Sequence, residues 1–111
     1  MNLTWEDYGT TCVVELDGEL VSHASDVLQR ACLERLDKGA RNLVIDVSGS
    51  PIVDSQGLEM LLELSEETVR REGRCTLACP DPLFESILEL AGLRDRLEIH
   101  GSVQEAARTL R

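Results

Sequence analysis

Residues 42 to 47 read Asn42-Leu43-Val44-Ile45-Asp46-Val47, a nearly unbroken apolar run rich in β-branched side chains. Such a run suits a central strand covered on both faces, because a strand open to water on one side alternates polar with apolar residues. Downstream, Ser48 to Val53 reads as a loop, after which Leu58, Leu61, Leu62 and Val69 recur at helical spacing and Glu59, Glu63, Glu66, Glu67 and Arg70 are left to face water. That pattern predicts a helix that begins near Ser55 and is ended by Gly73. Cys75 to Cys79 forms another strand, and Asp81-Pro82 is an N-cap followed by proline at the first position of a helix running to Gly92. Leu97 to Ile99 is a short strand. Ser102-Val103-Gln104-Glu105 is a capping-box sequence that opens a last helix, with Ala106, Ala107 and Leu110 turned inward.

Upstream of the central run, Leu3 to Tyr8 and Thr11 to Leu16 read as strands about a Gly9-Thr10 turn, an antiparallel hairpin at one sheet edge. Ser22 then caps a helix carrying Ala24, Val27, Leu28, Ala31 and Leu36 toward a core, with Asp26 near its positive end and Gly39 as its stop. The order β-β-α-β-α-β-α-β-α predicts one α/β domain over residues 1–111. Right-handed crossovers should give a mostly parallel sheet with an N-terminal antiparallel hairpin and about four helices. Strand order does not follow from the sequence.

Composition narrows the function classes. The 111 residues, 42% hydrophobic, are long enough for one core and too few for two ordinary domains. A formal net charge of -10 repels phosphate backbones and anionic headgroups, so neither nucleic acid nor direct membrane insertion is expected. Nothing near Met1 resembles a signal peptide and no window approaches a membrane span, which points to the cytoplasm. In that setting Cys12, Cys32, Cys75 and Cys79 read as reduced structural thiols. A strand would put Cys75 and Cys79 on one face, with no second ligand pair nearby, and no metal is expected. His23 and His100 read as surface or capping residues, Asp46 as support for its loop, and Trp5 as hairpin packing.

In open α/β sheets, functional residues gather beyond the carboxyl ends of the strands, where helix N-termini present unpaired N–H groups. Asp54-Ser55-Gln56-Gly57 lies at such a place. Spacing alone also allows Asp54 or Ser55 to be a plain N-cap. Gly57 adds a hint, since a helical glycine costs about 1 kcal/mol against alanine and some close approach of backbone should compensate.

The segment Leu43-Val44-Ile45-Asp46-Val47-Ser48 followed by Ile52-Val53-Asp54-Ser55-Gln56-Gly57-Leu58 resembles the signature of the STAS family of anti-sigma factor antagonists. Gly18-Glu19-Leu20, Gly73, Ala91-Gly92-Leu93 and Glu105-Ala106 extend the likeness over almost the whole chain. The resemblance implies a non-enzymatic regulator acting by partner switching. Unphosphorylated, it captures an anti-sigma factor that is also a serine kinase; the kinase inactivates it by phosphorylating Ser55, and a serine phosphatase restores it. Asp54, Ser55, Gln56 and Gly57, with Glu19 and Ser22, are the implied partner-binding residues. Many family members carry aspartate where this chain has Val21, and serine or threonine where it has Gln56.

A rival reading is a STAS subunit of an ABC-type phospholipid transport complex. A nucleotide-binding regulator is another, although the chain lacks a G-x-x-x-x-G-K-[ST] loop, a G-x-G-x-x-G fingerprint and an evident general base for Ser55. No cofactor is therefore expected.

Overall fold

The fold is described from a computed structural model covering residues 2–110. Strand β1 (Asn2–Tyr8) turns at Gly9, whose φ of +62° lies in the left-handed region open to glycine, into β2 (Thr11–Asp17). Then follow α1 (His23–Asp37), β3 (Asn42–Gly49), α2 (Ser55–Arg70), β4 (Cys75–Ala78), α3 (Pro82–Leu90), β5 (Glu98–His100) and α4 (Val103–Thr109). The 5-stranded sheet has the order β1-β2-β3-β4-β5, with β1 antiparallel to β2 and all later pairs parallel.

Because each parallel strand is laid beside the one before it, right-handed crossovers carry α1, α2 and α3 to a single face. The core reports that arrangement. Leu28 and Cys32 of α1, Leu61 and Leu64 of α2, and Phe84 and Leu88 of α3 pack with Val14, Leu16, Leu43, Ile45 and Leu77 of the sheet. On the other face, α4 covers a smaller cluster in which Val44, Ala78 and Ala106 are buried. Strand β3 is thus covered on both sides, as its unbroken apolar run requires.

Several side chains depart from the periodic reading. Val69, expected inward, is 65% exposed, and Thr68 is buried instead, its hydroxyl donating to the Ser65 carbonyl at 2.8 Å. A threonine that satisfies its own hydroxyl within the helix behaves as an apolar residue at that position. On α1 the buried stripe is Ser25, Leu28, Cys32 and Leu36, which leaves Val27 off to the side and 39% exposed. Cys79 lies beyond β4 at φ 58°, so strand alternation ends before it. Cys75 therefore joins the large core, whereas Cys79 packs beside the α4 cluster. All the cysteines are free thiols; burial pushes Cys12 up to about 11 and Cys75 up to about 12.

The capping expectations divide. Asp81 accepts from the Leu83 N–H at 2.8 Å with Pro82 behind it. Ser102 accepts from the Glu105 N–H at 3.1 Å, but Glu105 turns to His100, 3.6 Å away, so the box is closed on one side only. His100 sits between Glu98 and Glu105 and joins β5 to α4. Asp46 steadies its strand end by accepting from the Ser48 N–H at 3.0 Å. Trp5 packs beyond the hairpin, with the Arg35 guanidinium of α1 4.3 Å from its ring centre.

Candidate functional site

Past their ordinary ends, β2 and β3 remain stitched together. The Gly18 N–H donates to the Gly49 carbonyl at 3.0 Å, and Leu20 and Val53 form an isolated parallel bridge. In that bridge the Leu20 N–H donates to Ile52 at 2.9 Å and the Asp54 N–H donates to the Leu20 carbonyl at 3.2 Å. The β2–α1 and β3–α2 loops, far apart in sequence, are therefore one surface. A Cβ at Gly57 would lie 2.6 Å from the Leu20 carbonyl oxygen and 2.7 Å from Val53 Cγ2. The backbone whose close approach Gly57 accommodates is the chain's own.

Asp54 clamps the two loops. As the N-cap of α2 it accepts from the Gly57 N–H through Oδ1 at 2.9 Å, and through Oδ2 it accepts from the Ser22 N–H at 2.8 Å. Those backbone donors, Gly57 first and Ser22 second, hold its carboxyl below the usual aspartate range. Ser22 was expected to cap α1, and it does occupy that position, but its side chain makes no capping bond. Its φ of 46° and ψ of -120° turn the backbone N–H toward Asp54 rather than its hydroxyl toward the helix. This is glycine-like backbone for a residue that bears a Cβ.

Ser55 is the first helical residue of α2, and both it and Gln56 are exposed; Gly57 is buried, and Asp54 is half-buried. Glu19 and Ser22 are exposed on the neighbouring loop. The sequence reading gathered these residues from two segments, and the Leu20 stitches bring those segments side by side. It missed the Asp54 to Ser22 bond, for which no sequence signal exists, and the Leu20–Val53 bridge, whose trace is an apolar pair in each loop, Leu20-Val21 and Ile52-Val53. Among the described residues, no group of His, Cys, Asp and Glu side chains is disposed to hold a metal ion, and no helix is long and apolar enough to cross a membrane.

Fold and site define a one-sheet α/β domain with α1 to α3 on one face, α4 on the other, and an exposed, clamped helix N-terminus at the carboxyl end of its central strand. The chain belongs to the STAS domain family, whose model matches residues 2–106. It is similar to BtrV of Bordetella bronchiseptica, described as an anti-sigma factor antagonist, at 23% identity over 96% of this chain and 92% of that protein. Its fold matches a Thermotoga maritima protein described in the same terms at a TM-score of 0.91 and 18% identity, covering 98% of this chain and 94% of that one. It also matches the Bacillus anti-sigma factor antagonist SpoIIAA. The unphosphorylated form gives a TM-score of 0.84 and the phosphorylated form 0.76, both at 23% identity over 99% of this chain, and over 96% and 100% of those chains respectively.

Proposed function

We propose that this chain is a cytoplasmic anti-sigma factor antagonist whose partner-binding state is set by phosphorylation of Ser55. In the unphosphorylated form, the turn Asp54 to Gly57 and the adjoining Glu19 and Ser22 dock onto an anti-sigma factor that carries serine kinase activity. That kinase modifies Ser55, the complex comes apart, and a serine phosphatase resets the protein. Ser55 is a substrate in this scheme, and the chain itself is not an enzyme.

The observation that carries the reading is the exposed hydroxyl of Ser55 at the first position of a 16-residue helix, within a turn pinned from both sides by Asp54. A phosphate there adds roughly -1.5 to -2 charges, and the positive end of α2 tolerates them, so the free protein keeps its fold. In the complex the same dianion, next to the ionised Asp54, must be stripped of water, and burying unpaired charge costs several kcal/mol. That is enough for tenfold to thousandfold weaker binding. Names of similar proteins, BtrV and SpoIIAA, support the same role.

The test is a pull-down of an anti-sigma factor kinase with wild type, Ser55→Ala, Ser55→Asp and kinase-treated protein, with phosphopeptide mapping. Alanine should be retained, aspartate and phosphoserine lost, and the label found on Ser55. Equal recovery of all forms, or a label elsewhere, removes the proposal.

A further inference from the structure

Helix α4 packs chiefly across β3, β4 and β5, which leaves the same side of the β1–β2 hairpin open. Strand register fixes what stands there. Thr4 pairs with Glu15 and Glu15 with Asp46, while Glu6 pairs with Val13 and Val13 with Val44, which is buried under α4. Side chains in register share a face, so all of these lie on the α4 side of the sheet. Thr4, Glu6 and Glu15 are exposed, as polar residues of an uncovered strand face should be. Val13 and Tyr8 are exceptions on that face, and the Tyr8 ring is 59% exposed.

Tyr8 and Val13, with Val103 and Ala107 of α4 and Leu110 just beyond it, line a cavity of about 560 Å³. Pockets that hold small molecules span about 300–1,000 Å³ and are lined mainly by apolar side chains. Tyr8, Val13 and Val103 also line an adjoining cavity of about 210 Å³, whose polar wall is Glu6, Glu15 and Asp46. The two form one trough, apolar at one end and acidic at the other. The acidic end is not neutralised. Glu6 accepts from the Tyr8 hydroxyl and Asp46 from the Ser48 N–H, and no Lys or Arg among the described residues pairs with Glu6, Glu15 or Asp46. Glu15 and Asp46, neighbours in register, repel one another, and a cation between them relieves that repulsion.

We infer that the trough between the β1–β2 hairpin and α4 binds a small amphipathic organic cation, a flat apolar body carrying one ammonium or guanidinium group. The body lies on Val13, between the Tyr8 ring and the α4 wall, and the charged end reaches Glu15 and Asp46. Charge complementarity selects this occupant, because an anion is repelled by the acidic end and a neutral apolar molecule leaves the carboxylates uncompensated. A metal ion is a poor fit, since no described group of His, Cys, Asp and Glu is disposed to hold one. A second copy is a poor fit too, because each chain carries a net charge of -10. The trough is on the sheet face opposite α1, α2 and α3, so it is separate from the Ser55 turn and stands independently of the reading given to that turn.

The test titrates tryptamine, indole-3-propionamide and indole-3-propionate into the 15N-labelled protein. These probes share a ring and linker and are cationic, neutral and anionic; propylamine supplies the charge without the ring. Tryptamine should give saturable amide shifts at Thr11, Val13, Val103 and Ala107 at millimolar concentration, the propionamide should bind about tenfold more weakly, and the propionate and propylamine should leave those amides unmoved. Glu15→Gln, at an exposed residue with no side-chain partner among the described residues, should weaken tryptamine about threefold and leave the propionamide unchanged. Ala107→Phe fills the apolar end and should abolish binding of both indoles, with the melting temperature reporting that the variant is folded. Equal affinity for the three indoles, shifts scattered over every acidic surface, or a folded Ala107→Phe protein that still binds tryptamine would overturn the inference. So would shifts at the same amides that follow protein concentration without any probe, which would assign the trough to a second copy.

Discussion

At the scale of single residues, Asp54 and Gly57 carry the site, each by a contact within the chain. An unperturbed aspartate titrates near about 3.9, and Asp54 is held lower by the Gly57 and Ser22 N–H groups. Its stabilising contribution is therefore complete above that pH and is lost as the pH falls toward the folded-state value. Asp54→Asn should lower the melting temperature at neutral pH, and the gap to wild type should close below about pH 4; thermal scans across acid pH check this. Gly57→Ala sets two effects against each other. Alanine is better in a helix by about 1 kcal/mol, but its Cβ must displace the Leu20 carbonyl and Val53, so a net loss of about 1–3 kcal/mol is expected in denaturant unfolding. A more stable Gly57→Ala protein would mean that the Leu20 stitch yields easily.

Among the elements, both α1 and α2 bury a stripe rotated from the simple periodic one, and α2 shows the consequence most clearly. Leu58 and Leu61 are buried as their spacing predicts, but the stripe continues through Leu64 to Thr68 rather than to Val69. The expected consequence is an inverted pair. Leu64→Ala, at a fully buried position, should cost about 2–5 kcal/mol, whereas Val69→Gln should fall within about 0.5 kcal/mol of wild type. Urea unfolding of both variants decides whether α2 sits with this rotation. Existence and order of the helices and strands were legible, because capping residues, glycines and prolines mark their ends. β5 alone lies one residue later than expected, at Glu98–His100, where a short strand offers too few alternations to fix its register. Ser22 shows the other limit. Its identity advertises a cap, yet its conformation is dictated by Asp54 from another loop.

For the whole molecule, the excess of acidic residues sets a self-repulsion that salt should screen. Raising sodium chloride from about 0.05 M to about 0.5 M should increase the melting temperature despite weakening exposed pairs such as Arg94–Glu85. Calorimetry at the two concentrations tests the sign, and a fall would mean that local ion pairs outweigh the global charge. The alternation of helix and strand was written in the chain from residue 11 onward, since hydrophobic period and end signals are local. So was the covered central strand, because only a strand with protein on both sides has use for six residues such as Asn42 to Val47. Tertiary structure alone decided the sequential strand order, the separation of Cys75 from Cys79, and the joining of Asp54 to Ser22. Each of these depends on which distant segments meet, and a local pattern records what a residue prefers without recording what it will touch.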